Sequence, residues 1–157
     1  MIDNRKKKIL IVVKTYPMPS RKYKEIVCTA RVLEDGSWIR LYPINYRDKD
    51  DLEKYEKYQW IHVEIEKNKQ DYRPESYKPI GDIILGGKVS TGNNRDWSER
   101  KKYVLAKETK TMCGLQKTLQ KNISLAVVKP RKVINFYWEG VDRNWSSEQL
   151  ASLNQFI

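Results

Sequence analysis

The amino-acid sequence predicts an α+β domain: a small β-barrel, or a strongly bent antiparallel sheet, with inserted helices. Three observations predict it. About five to seven short β-rich runs follow one another, a strong hairpin signal lies in the first third, and helical spacing is confined to the later half. The alternating strand and helix order of a doubly wound α/β fold is missing. The 157 residues suit one compact domain over 1–157 and are enough to bury a core, with two fused small barrels meeting near 67–80 as the alternative.

Taken in order, Lys8 to Lys14 is an apolar run ended by Tyr16, Pro17 and Pro19, which suits a buried strand and then a turn. Ser20 caps a brief helical turn through Arg21 to Glu25. Val27 to Leu33 and Trp38 to Ile44 are two β-rich runs joined by Glu34, Asp35, Gly36 and Ser37, and the Asp-Gly pair makes them a hairpin. Trp60, His62, Glu64 and Glu66 alternate with Ile61, Val63 and Ile65, the period of a strand with one buried face. Ile80 to Val89 reads as a further strand, bent or bulged at Gly86 and Gly87. Asp96 with Glu99 opens a basic helix reaching Lys107, and Met112, Leu115 and Leu119 recur at helical spacing, although Gly114 weakens that second helix. Ser124 to Val128 and Val133 to Trp138 predict a strand pair broken at Lys129, Pro130 and Arg131, after which Ser146 caps a short helix.

Charge narrows the function. Lys and Arg number 31 against 20 Asp and Glu, a net +11, and such a surplus favours nucleic acid or another polyanion. The excess is uneven. Asp3 is the sole acid before Glu25, whereas Asp48, Asp50, Asp51, Glu53 and Glu56 form an acidic segment and a second basic region runs from Arg100 to Lys132. The aliphatic run Ile9 to Val13 is far short of the roughly 18 apolar residues of a membrane span, so neither a bilayer crossing nor a secretory signal is expected. Two cysteines in unlike contexts, Cys28 and Cys113, give no disulfide framework and point to a reducing cytoplasm.

The densest chemistry lies between Lys14 and Arg47, where cations alternate with rings. Lys14, Arg21, Lys24, Arg40 and Arg47 offer charge to phosphates, while Tyr16, Tyr23, Trp38, Tyr42 and Tyr46 offer faces on which unpaired bases stack. Arg21, Tyr23 and Lys24 follow a proline turn suited to phosphate, and Arg40 lies between Ile39 and Leu41, where a guanidinium meets solvent, an acid or a ligand. Packing in the core is the competing role for Trp38 and Tyr42. A second interleaved patch is Asp71 to Lys78, with Tyr72, Arg73, Tyr77 and Lys78, and a third is Trp97, Arg100, Lys101 and Tyr103.

The run Val27, Cys28, Thr29, Ala30, followed by Gly36, Ser37, Trp38, Ile39, Arg40, Leu41, Tyr42 and Pro43, resembles the start of bacterial proteins described as dual OB-containing domains. With Lys14 to Pro17 and Pro19 to Glu25 it also resembles an uncharacterised prokaryotic family that opens on those pieces. The resemblance implies an OB-like barrel and contact with nucleic acid, without a settled activity. Arg31 stands where that pattern has glycine, and the Cys- and His-containing segment of such families beyond the region of Trp138 is missing, so no metal site carries over.

Enzyme chemistry finds little support. His62 is the single histidine and sits in a strand alternation, and Cys28, Cys113 and His62 lack zinc spacing. No Gly-rich phosphate loop is present. Glu64, Glu66 and Lys67 are the residues a magnesium-dependent nuclease would use. The sequence therefore predicts a nucleic-acid-binding domain for single-stranded or distorted substrates, without cofactor. The alternatives are a metal-dependent nuclease and a protein-interaction module of a bacterial or phage defence system.

Overall fold

The structure, a computed structural model, describes residues 6–15, 18–20, 24–45, 55–107, 111–142 and 144–154, with the backbone alone at 18–20, 24–28, 43, 45 and 152–154. Six strands are present: β1 (Lys6–Lys14), β2 (Met18–Ser20), β3 (Lys24–Leu33), β4 (Trp38–Asn45), β5 (Gln59–Lys67) and β6 (Ser76–Lys88). Their order β1-β5-β6-β4-β3, with β1 also paired to β3, closes a five-stranded barrel, and β2 adds to β3 outside it. All neighbours are antiparallel except β4 and β6, which run parallel with Arg40 opposite Ser76 and Leu41 opposite Tyr77. The barrel is a small mixed, OB-like one with three short helices: α1 (Ser98–Val104), α2 (Met112–Leu119) and α3 (Ser147–Asn154).

Period-two alternation decides what faces inward. Ile9 and Ile11 of β1, Ile39 and Leu41 of β4, Ile61, Val63 and Ile65 of β5, and Ile83 of β6 fill the interior with Tyr55. The intervening residues Leu10, Val12, Val32 and Trp60 face outward and are covered by Trp38, Tyr58, Tyr103 and Val104. Helix α1 thus lies against the outside of β1 and β5. Trp60 and Tyr103 meet edge to face with centroids 5.1 Å apart, and Arg100 stacks 3.9 Å from the Tyr58 ring while its Nε donates to the Val89 carbonyl.

The predicted hairpin forms. Gly36 sits at φ +80°, and a Cβ there would lie 2.5 Å from the Cβ of Ala106, so the tip needs glycine both for its backbone and for the approach of the segment after α1. Asp35 accepts from the Ser37 backbone N–H and hydroxyl, both at 2.8 Å; the backbone bond first, then the hydroxyl, holds its carboxyl below the usual range.

Several expectations are corrected. Ser20 belongs to β2 and pairs with Lys24 of β3, so Lys24 and Glu25 continue a strand where a helical turn was expected. The strand expected over 80–89 begins at Ser76, and 67–80 lies within β5, its loop and β6 of the one barrel. The first helix is capped by Trp97 in the left-handed region, while Asp96 accepts from the Ser98 N–H. Helix α2 spans the expected residues with Thr111 as its cap, yet Met112 and Leu119 are exposed. The strand pair over 124–138 does not form: Val128 makes an isolated bridge and the rest is irregular. Ser146 does cap α3, exchanging bonds with Gln149 in both directions.

Candidate nucleic-acid interface

The outer face of β4 presents Trp38, Arg40 and Tyr42, the residues that alternate with the inward Ile39 and Leu41. Arg40 lies 5.0 Å from the Tyr42 ring centroid, a cation held flat against a ring. Both are half-buried. Beside them runs the β5–β6 loop, residues 68–75, which is tied to β4 at two points: Asn68 Nδ2 donates to the Tyr42 carbonyl at 2.9 Å, and the Arg40 N–H donates to the Glu75 carbonyl at 2.9 Å.

The loop is held from inside as well. Lys67 Nζ donates to the carbonyls of Arg73, Pro74 and Ser76 at 2.6, 2.8 and 3.0 Å, and it lies 5.2 Å from the Tyr77 ring. Arg73 grips Asp71 with two parallel bonds of 2.8 Å from Nε and Nη2. That pairing is the main reason the Asp71 carboxyl sits far below the usual range; burial opposes it. Tyr72 stands 79% exposed at the tip, with Arg73 5.9 Å from its ring.

The predicted residues therefore divide. Arg40, Tyr42, Arg73 and Tyr77 gather around β4 and the β5–β6 loop, though the charge of Arg73 is met by Asp71 and Tyr77 packs against the interior cluster. Lys14 lies apart, with its ammonium 5.2 Å from the Tyr55 ring at the end of β1. Tyr16, Arg21, Tyr23 and Arg47 lie outside the described residues, as does the side chain of Lys24. Of the third patch, Arg100 and Tyr103 fix α1 to the barrel. Among the residues weighed for a nuclease, Glu66 pairs with Lys78 and Lys67 is engaged by the loop carbonyls. No group of three or more His, Cys, Asp or Glu side chains suited to a metal ion occurs among the described residues.

Three contributors escaped sequence reading. Lys67 and Asn68 look like surface residues until the loop folds over them, and no local signal marks them. Arg31 is the third. It is fully buried, opposite Ile11 and Ile39 in the strand registers, and only its Nη2 has a partner, the Tyr55 hydroxyl at 3.1 Å. Burial pulls its pKa down to about 10 against the opposing effect of Tyr55. The departure from glycine at 31 was the available signal.

Residues 5–106 match the model of a family described as a domain of unknown function, DUF8758. The chain belongs to that family. The DUF8758 match takes in all six strands and α1, and hence β4 and its neighbouring loop. No curated protein and no solved structure matches the chain. No helix among the described residues is long and apolar enough to cross a membrane.

Proposed function

We propose that this protein binds single-stranded or distorted nucleic acid across the outer face of β4 and the β5–β6 loop. The observation that carries the reading is the Arg40–Tyr42 pair beside a loop pinned so that Tyr72 projects into solvent. A ring and a guanidinium side by side suit a base stacked next to a phosphate. OB-like barrels take oligonucleotides on their second and third strands and on the loops after the first and fourth. Without the added β2, those places here are β3, β4, residues 15–23 and residues 68–75. Tyr16, Arg21 and Tyr23 fall in the first of these loops. The net charge of +11 supports a polyanion, and the unbridged, exposed Cys113 accords with a reducing cytoplasm. Kinship with dual OB-containing domains of bacteria or phage belongs to the same reading and rests on the pattern at residues 14–43.

The test is fluorescence anisotropy with matched single-stranded DNA, double-stranded DNA and single-stranded RNA at two salt concentrations. Binding should favour single strands and weaken steeply with salt, and Arg40→Ala with Tyr42→Ala should lower affinity about tenfold or more. Absence of binding at low salt transfers the surface to a protein partner. Magnesium-dependent cleavage abolished by Glu64→Gln turns the reading into a nuclease.

A further inference from the structure

One mouth of the barrel opens into a cleft of about 540 Å³ lined by Leu33, Trp38, Ile39, Glu75, Tyr77 and Lys107, with Ile123 and Leu125 closing its far side. That volume falls in the range of small-ligand sites, and barrel mouths are among their usual places. Its chemistry is lopsided. Leu33 and Tyr77 pack on the interior cluster and Trp38 on the outer one, so most of the lining is apolar or aromatic. The polar groups are few: Ser37, the carboxylate of Glu75 and the ammonium of Lys107.

Glu75 is the unusual member. It is 92% buried, and its Oε1 accepts from both the N–H and the hydroxyl of Ser124, at 2.5 and 2.6 Å. Those bonds bring the chain beyond α2 across the mouth. Its Oε2 is shielded from solvent and has no donor. A buried carboxylate oxygen without a donor is costly, and the cost is relieved when a ligand supplies an N–H.

We propose that the mouth is a nucleobase subsite, in which the base lies among Trp38, Tyr77 and the aliphatic lining, Glu75 Oε2 accepts an N–H from its Watson–Crick edge, and Lys107 meets the adjoining phosphate. This rests on the nucleic-acid reading above and names what that site selects. A carboxylate oxygen distinguishes the bases by their edges. Guanine presents an imino N–H beside an exocyclic amine, two donors toward one acceptor. Thymine and uracil offer a single N–H flanked by two carbonyls that repel the carboxylate. Guanine is therefore preferred and thymine or uracil disfavoured. Lys107, Ile123 and Leu125 lie beyond the matched 5–106 region, so the selectivity belongs to this chain's own extension of the barrel.

The experiment uses the full chain and labelled oligothymidylate with or without one central guanine. The guanine should tighten binding about tenfold, and Glu75→Gln should erase that advantage, since an amide has one acceptor oxygen and Ser124 occupies it, while affinity for oligothymidylate stays within about twofold. Ser124→Ala keeps the carboxylate and should keep the preference. Should Glu75→Gln not melt cooperatively, competition on the unaltered protein decides: guanosine monophosphate should displace the guanine-containing probe at concentrations where thymidine monophosphate does not, and equal displacement overturns the subsite. Binding with no guanine advantage, or with one that Glu75→Gln leaves intact, overturns the subsite alone. No binding to either oligonucleotide overturns the nucleic-acid reading beneath it.

Discussion

Arg31 is a cation enclosed by the barrel wall, and its physics runs against stability. Burial lowers its pKa to about 10, below the value of an exposed guanidinium, so the charged form is disfavoured by folding. The sign is that of a base with a depressed folded pKa: the cost is fully present below about pH 10 and is relieved as pH climbs toward the unfolded value. Arg31→Met places an apolar chain of similar length among Ile11, Ile39 and Tyr55. Stability at neutral pH should rise by about 1–4 kcal/mol, the range seen when buried ionic groups give way to apolar ones. A thermal melt reads the outcome, and a lower midpoint would mean that the Tyr55 bond outweighs the desolvation. Arg40 shows the opposite use of the same residue type: facing outward one strand away, it keeps a ring on one side and offers charge on the other.

At the scale of elements, the β3–β4 hairpin links local chemistry to long-range packing. Gly36→Ala forces a side chain into the left-handed region and against Ala106, so it should destabilise the fold by about 1–3 kcal/mol. Chemical denaturation would measure it, and a neutral result would show that the segment after α1 moves aside. The hairpin was legible because Asp-Gly fixes a turn without help from distant residues, and the inward faces of β1 and β5 were legible from alternation alone. The run 124–138 misled because β propensity requires a partner edge. The barrel pairs both sides of all its strands and leaves none to these residues. Ile134, Phe136, Tyr137 and Trp138 consequently stand exposed. Arg40 and Tyr42 could be found by pattern, whereas Glu75 could not, since an acid in a polar loop signals solvent until Ser124 arrives 49 positions later.

For the whole molecule, the family match and the barrel share one boundary. Strands and α1 end before 107, while α2, α3 and the irregular run follow it. A chain cut after Lys107 should still melt as one cooperative unit, since every barrel pairing survives, although it loses the Ser124 bonds to Glu75. Circular dichroism across a melt checks this, and a broad, uncooperative transition would show that the later segments hold the barrel together.

The parallel pairing of β4 with β6 also governs the order in which the protein is made. Strand β6 is the last to be synthesised, yet it fills the gap between β4 and β5, which precede it. A nascent chain halted before Ser76 has every other barrel strand but two unsatisfied edges, on β4 and β5, of the kind that pair with other chains. The thirteen residues of β6 remove both edges at once.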